Sequence, residues 1–356
     1  MREIKEILDR AIEQKASDVH LNVGMPPVMR KNTELVSMVF PLITDEDIKR
    51  MLLDLVGAKR YNFLIEQKHL DFSITTDGGC RFRCNAHFQR STIAISFRLI
   101  PEKIPAFDDL HLPSIIKQLT QMTRGLILIT GHAGSGKSTT LASVIDQINL
   151  QYKKRIITLE DPIEYVFTNS ASMIEQRELG ADFLEFAPAL KYILRQDPDI
   201  IAVGEMRDLE TTSSTITAAE TGHLVFSTLH TISASQAIER IVDIYPTGQK
   251  NQMRTILANT LQCVITQTLF KRIDAPGMIP AIEILICTPA VRNCIRENKI
   301  CEIPNIIETS SKIGMQSMDH SICQLYAAGF IGRDEAVGRS ANRDKMIKYL
   351  LNNNIS

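Results

Sequence analysis

Nine residues from Gly131 to Thr139, GHAGSGKST, carry the densest chemistry in this sequence. They match the pattern G-x-x-x-x-G-K-[ST]. Glycines let a backbone wrap around phosphates, and the loop N–H groups point inward at a helix N-terminus. In such a loop Lys137 contacts the β- and γ-phosphates, and the Ser138 hydroxyl ligates magnesium. Gly131, Gly134, Ser135, Gly136, Lys137, Ser138 and Thr139 are therefore read as a site for ATP. The flanks agree. GLILIT reads as a strand feeding the loop, and Leu141, Val144, Ile145 and Ile148 mark one face of a following helix.

Acidic residues end two further apolar runs. DPDIIAVGEMRD, Asp197 to Asp208, reads as a buried strand finishing on Gly204–Glu205. Many ATP-hydrolysing proteins have Asp-Glu there, the Asp helping to hold magnesium and the Glu orienting the attacking water. Glycine replaces the Asp here. Glu205 is read as the residue that orients water for attack on the γ-phosphate. ITLEDPIEYVF, Ile157 to Phe167, places Glu160 and Glu164 near the metal and its waters, while Asp161 before Pro162 also fits a local helix cap. Magnesium is then expected to rest on Ser138, the phosphates, water and these carboxylates. His223 and His230 flank another strand pattern, seven residues apart. On an unbroken strand that spacing sends them to opposite faces, so no shared metal is expected. His223, at the strand start, reads as structural; His230, at the end shared with the acidic residues, reads as functional.

Composition bounds the rest. A chain of 356 residues, 44% hydrophobic and 23% charged, suggests two or three domains with sizeable cores. A formal net charge of −1 supplies no global basic field, so no nucleic-acid partner is expected. Seven cysteines form no CxxC pair; Cys80 and Cys84 are half of a zinc pattern with no second half. Scattered free thiols suit a reducing cytoplasm. MREIKEILDRAIEQ reads as an amphipathic helix with Ile4, Ile7, Leu8, Ala11 and Ile12 on one face, not as a signal peptide. No stretch approaches the ~20 apolar residues that span a bilayer.

The elements that must position these residues fall into two groups. Residues 1–100 read as a small α+β domain: SDVHLNVG as a strand, MPPVMRKN as turns, and a helix opened by Thr44 and Asp47. LDFSI, CRFRCNAHFQR and TIAISFRLI follow as strands, the first two split by the turn at Asp77–Gly78–Gly79. Residues 101–112 read as a linker, with prolines at 101 and 105 and another just beyond at 113. From 113 to 356, GLILIT, RIITLE, DIIAVGE and HLVFSTLH alternate with helical stretches, the pattern of a parallel sheet buried on both faces. AIEILI adds a further strand, helices follow with Gly329 as a cap, and the final NNNIS reads as frayed.

Taken in order, GHAGSGKST, ITLEDPIEYVF, RQDPDIIAVGEMRDLET and TAAETGHLVFSTLHT resemble the Walker A, Asp box, atypical Walker B and His box of the secretion ATPase superfamily. GEMRDLET and TPAVRNCIREN resemble the type IV pilus retraction ATPase family within it, and SDVHL and Arg81–Arg83 extend the likeness over nearly the whole chain. The resemblance implies a PAS-like N-terminal domain joined to a RecA-like P-loop ATPase domain with a helical C-terminal part. It implies a homohexamer, cytoplasmic and peripheral at the inner membrane, that uses ATP and Mg2+ to drive pilin disassembly with a platform protein at the pilus base. Glu205 matches the family's catalytic glutamate, Glu160 and Glu164 its Asp box, and His230 its His-box histidine. Arg81, Arg83 and Arg98 match N-domain arginines that can reach a nucleotide at a subunit interface. Ala290, Val291, Arg292 and Asn293 match a helix that transmits movement to the pilus machinery. On pattern alone, that helix packs Val291, Cys294 and Ile295 inward and leaves Arg292 solvated.

The chain departs from the family at His132–Ala133, where Pro-Thr is usual, at Val291 and Cys294, and at Ser227, where glycine is usual. A pilus-assembly or secretion motor is the nearest alternative, but the four-cysteine zinc insertion typical of assembly motors is absent. A nucleic-acid translocase on the same core, and a nucleotide-binding accessory protein that does not hydrolyse, are the others.

Overall fold

Two different hydrophobic periods build two compact units, Met1–Lys103 with Pro162–Val166, and Ile104–Asp161 with Phe167–Ser356. The structure, a computed structural model, describes residues 2–31, 34–100 and 103–352. Most of the expected frayed NNNIS and the first two linker positions lie outside the described residues.

Period-two alternation governs the first unit. Its strands are β1 (Asp18–Asn22), β2 (Val28–Lys31), β3 (Glu34–Ser37), β4 (His69–Thr75), β5 (Arg81–Gln89) and β6 (Thr92–Leu99). They form an antiparallel sheet in the order β3-β2-β1-β6-β5-β4. Along β5, Phe82, Cys84 and Ala86 are buried while Arg81, Arg83 and Asn85 alternate with them. The apolar face joins α1 (Arg2–Glu13), through Ile4, Ile7, Leu8 and Ala11, and α2 (Asp45–Gln67), through Ile48, Met51, Leu52 and Leu64. Thr44 caps α2 in a reciprocal capping box with Asp47. MPPVMRKN is not only turn: Val28–Lys31 pairs with the exposed β3 as an edge hairpin. Pro26 and Pro27 and the short run concealed it.

The second unit has near-continuous apolar strands instead. They are β7 (Gly125–Thr130), β8 (Arg155–Glu160), β9 (Met173–Glu178), β10 (Ile200–Glu205), β11 (Leu224–Leu229), β12 (Leu261–Lys271) and β13 (Met278–Ile286). Their order is β13-β12-β7-β11-β10-β8-β9, parallel except for the β12–β13 pair. Ile127, Ile129, Ala202 and Phe226 pack on one face, and Leu126, Leu128, Ile201 and Val203 on the other. Helices α3 (Ile115–Leu119), α4 (Lys137–Gln151), α5 (Phe186–Ile193), α6 (Leu209–Glu220), α7 (Ala234–Asp243), α8 (Lys250–Thr260) and α9 (Pro289–Arg296) belong to this unit. So do α10 (Ile303–Thr309), α11 (Met318–Ala327), α12 (Arg333–Arg339) and α13 (Arg343–Asn352), with Gly329 left-handed just beyond α11. Residues 104–112, expected as linker, fold into this unit, and Phe107 is buried there.

One buried amide shapes the phosphate loop. Gln267 of β12 donates from Nε2 to the Ser135 carbonyl and accepts at Oε1 from the Thr140 hydroxyl, each at 2.8 Å. The loop runs so close to β12 that a Cβ on Gly131 would lie 2.3 Å from the Gln267 carbonyl oxygen. One on Gly136 would lie 2.7 Å from Nε2. Both glycines also have positive φ, 145° and 86°, so only glycine fits.

Helix α9 is capped by Thr288, begins with Pro289 and buries Val291, Cys294 and Ile295, while Ala290 and Asn293 are exposed. Arg292 is not simply solvated, which corrects that expectation. Its Nη1 donates to the carbonyls of Ala258 and Asn259, and its Nη2 to Gln262 Oε1 at 2.9 Å. The guanidinium thus closes the C-terminal carbonyls of α8, where a cation is also favoured by the helix dipole.

Two outcomes follow from these ties. Gln267→Leu orphans the buried Ser135 carbonyl and Thr140 hydroxyl and is expected to cost about 2–4 kcal/mol in urea unfolding; an unchanged midpoint would contradict the brace. Arg292→Ala is expected to cost about 1–2 kcal/mol, with Arg292→Lys recovering only part because it lacks the fork. Full recovery by lysine would show that charge alone matters.

Candidate nucleotide site

Parallel strands deliver their ends to one edge of a sheet, and ligands bind outside that edge. Here β7 runs into Gly131, β11 into His230, β10 ends on Glu205 and β8 on Glu160. Because β7, β11, β10 and β8 are consecutive neighbours, these residues line up along the edge.

Lys137 opens α4 and is buried. Its Nζ donates to the carbonyls of Gly131 at 2.8 Å and His132 at 2.9 Å, and lies 3.4 Å from His230 Nδ1. His230 Nε2 lies 3.4 Å from Glu205 Oε1. An ammonium can only donate, so the imidazole accepts at Nδ1 and turns its Nε2 proton to the carboxylate. A cation, a ring and a carboxylate thus form one line across three strand ends.

The glycine before Glu205 has a structural explanation. Between β10 and β11, Val203 pairs with Ser227 and Glu205 with Thr228, so Gly204 is the extra residue of a bulge. Bulges re-aim side chains beside functional sites. A Cβ at Gly204 would lie 3.3 Å from the Leu159 carbonyl oxygen on β8, a tight approach. The Thr228 hydroxyl donates to the Gly204 carbonyl and fixes the bulge.

Glu160 accepts at Oε1 from the Thr158 hydroxyl at 2.6 Å and from Gln176 Nε2 at 3.0 Å. Asp161 lies 3.6 Å from Arg207 Nη1 and so takes part in an ion pair. Glu164 is exposed on Pro162–Val166, which groups with the first unit and not with the phosphate loop. Ser138 and Thr139 are half-buried in the first turn of α4, Gly134 is exposed with positive φ, and Ser135 is buried. His223 bonds through Nδ1 with the Ala218 carbonyl and the Thr221 hydroxyl, the structural arrangement expected.

Among the described residues, no three His, Cys, Asp or Glu side chains cluster in a way that could hold a metal ion. Magnesium dehydrates reluctantly and is commonly held by substrate phosphates, waters and one or two protein oxygens. The hydroxyl of Ser138 and the carboxylates of Glu160 and Glu205 are hard donors that fit that manner of binding.

The N-domain arginines share one face of the first sheet. Arg83 and Arg98 are directly paired across β5 and β6, and Arg81 lies two residues from Arg83. Arg98 Nε donates to Asp18 Oδ1 at 2.8 Å, and Arg81 donates to the Ser73 hydroxyl at 2.7 Å. Burial pushes the Asp18 carboxyl up, but the hydrogen bonds from Arg98 and Ser17 outweigh it and hold it below its usual range. Arg83 is exposed.

Three residues at the site were not singled out from sequence. Gln267 lies on β12 between Thr266 and Thr268, where its run of polar residues in an otherwise apolar strand is the available signal. Gln176 lies on β9, whose polar composition masked the strand. Arg207 Nε donates to Glu205 Oε2 at 2.8 Å, yet it reads as one more charge after a strand.

The Type II/IV secretion system protein family matches residues 105–299, over half of the chain. The type IV pilus retraction ATPase PilT of Pseudomonas aeruginosa is 42% identical over 94% of this chain and 97% of its own. A twitching motility protein of Neisseria gonorrhoeae is 42% identical over 90% of this chain and 86% of its own. The crystal structure of the pilus retraction motor PilT with bound ADP superposes with a TM-score of 0.90, at 43% identity, covering 97% of this chain and 99% of that one. The chain belongs to the type II/IV secretion system protein family, on its PilT branch.

Proposed function

We propose that this chain is an ATP-hydrolysing motor that powers type IV pilus retraction by driving pilin disassembly. The observation that carries this reading is the line Lys137–His230–Glu205 beside the phosphate loop, in a chain similar end to end to PilT proteins. The loop amides and Lys137 bind the β- and γ-phosphates; Ser138, with Glu160, is the protein side of the magnesium site. Magnesium, when bound, neutralises charge on the phosphate oxygens. Water attacks the γ-phosphorus, the bond from phosphorus to the β–γ bridging oxygen breaks, and ADP leaves. Glu205 orients the water and accepts its proton. His230 keeps Glu205 turned toward the loop and senses the state of Lys137 through its other nitrogen.

The working assembly is a homohexamer at the cytoplasmic face of the inner membrane, engaging a platform protein and pilin. No described helix is long and apolar enough to cross a membrane. Arg81, Arg83 and Arg98 supply cations to a neighbour's nucleotide. For Arg98 this requires giving up Asp18, which makes the exposed Arg83 the least encumbered of the three. Glu164 acts with Glu160 as an Asp-box carboxylate. Helix α9, with Ala290 and Asn293 exposed and Val291 and Arg292 anchoring it, passes domain movement outward.

Glu205→Gln tests the reading at two levels. The purified variant should bind ATP while turnover falls roughly 10²-fold or more. Cells carrying only this variant should be hyperpiliated and unable to twitch. Cells without pili would select an assembly motor instead, and near-normal turnover would move the catalytic carboxylate to Glu160 or Glu164.

A further inference from the structure

The two oxygens of Glu205 are divided between two partners. Oε1 faces His230 Nε2 at 3.4 Å, and through that ring faces Lys137. Oε2 receives Arg207 Nε at 2.8 Å. The same guanidinium reaches Asp161 Oδ2 from Nη1 at 3.6 Å. Arg207 therefore ties the end of β10 to the end of β8 on the side of Glu205 that His230 leaves free.

This tie answers a need created by the bulge. Gly204 drops out of the ladder with β11, and Glu205 is the last residue of β10. Its side chain has three torsions, and the strand end alone does not select among them. A general base must hold one oxygen at the attacking water, and a misplacement of an ångström can cost orders of magnitude in rate. Arg207 is well sited to remove that freedom. It lies between a strand and a rigid helix start: Asp208 caps α6, accepting from the Thr211 amide at 2.8 Å. Its planar fork fixes the directions in which it meets the two carboxylates, whereas a lysine ammonium would meet them as a freely rotating point charge.

We infer that Arg207 is a positioning residue for hydrolysis, holding Glu205 Oε2 against Asp161 so that Oε1 is the oxygen presented toward the phosphate loop. This rests on the ATPase reading above and adds to it a residue that acts through Glu205. Removing Arg207 leaves Glu205 in place but lets both oxygens swing. ATP binding through the loop and Lys137 does not involve Arg207, so the loss falls on kcat and not on KM.

The test uses full-length protein and steady-state ATP hydrolysis, with ATP binding followed by calorimetry. Arg207→Ala is expected to lower kcat at least 10-fold with KM for ATP within about 2-fold. Arg207→Lys should recover part of the rate, and Arg207→Gln should recover less. In a Glu205→Gln background, Arg207→Ala should cause no further loss, because the carboxylate it positions is gone; a general structural role would still add its own loss. An unchanged or raised kcat, a change confined to KM, or additive losses in the double variant would each overturn the inference. Should Arg207→Ala unfold, the Lys and Gln variants and their Glu205→Gln doubles decide by the same criteria. Wild-type protein and Glu205→Gln alone are the controls: no turnover by wild type, or full turnover by Glu205→Gln, strikes the ATPase reading itself. Normal controls with silent Arg207 variants strike only the inference.

Discussion

The contact of His230 with Lys137 on one side and Glu205 on the other is the interaction around which the second unit is arranged. It joins the residue that would hold phosphate to the residue that would activate water. It exists because β7, β11 and β10 are adjacent and parallel, so three strand ends meet in sequence along one edge. A charged line of this kind is costly to bury and useful only beside a ligand. The structure keeps two of its three members at the rim, with Glu205 20% exposed and His230 46%, and satisfies the buried Lys137 with two loop carbonyls. The strands beneath are buried on both faces, so the rim is charged and its support is apolar.

Support for that line comes from backbone devices more than from charge. The phosphate loop is shaped by a close approach to β12, which only glycine permits at 131 and 136, and by the amide of Gln267. The bulge at Gly204 takes the place that an aspartate has in many ATPases, and a Cβ there would crowd the Leu159 carbonyl of β8 at 3.3 Å. Loss of one magnesium-binding carboxylate and gain of a re-aimed glutamate are thus a single backbone change. Arg292 does comparable work at a distance, closing the end of α8 and so fixing where β12 begins.

What could be read from sequence followed from how local each signal was. GLILIT, RIITLE, DIIAVGE and HLVFSTLH are apolar runs of strand length, and all four became parallel neighbours. The capping box at Thr44 and Asp47 is complete within four residues and formed as expected. Lys137, Glu205 and His230 were legible because each follows or ends such a run. MIEQRE did not read as a strand, since an edge strand needs few apolar residues; LQCVITQTLFK was passed over because glutamines interrupt it. The bulge was invisible because it is a property of two strands' register. The roles of Gln176 and Arg292 are not legible because a polar side chain's partner is chosen by topology: Glu160 and Ala258 are far from them in the chain. Arg207 has its nearest partner two residues away, but the strand end that makes the pair matter is set by the sheet. The proposed action of the N-domain arginines on a neighbour's nucleotide has no local pattern to encode it.

The central claim is that His230 acts through Glu205 and not independently of it. Single-turnover hydrolysis measured for wild type, His230→Gln, Glu205→Gln and the double variant tests this most directly. The account predicts that His230→Gln alone slows hydrolysis about 10-fold or more, and that adding it to Glu205→Gln changes the rate no further. Independent, multiplying losses in the double variant would contradict it.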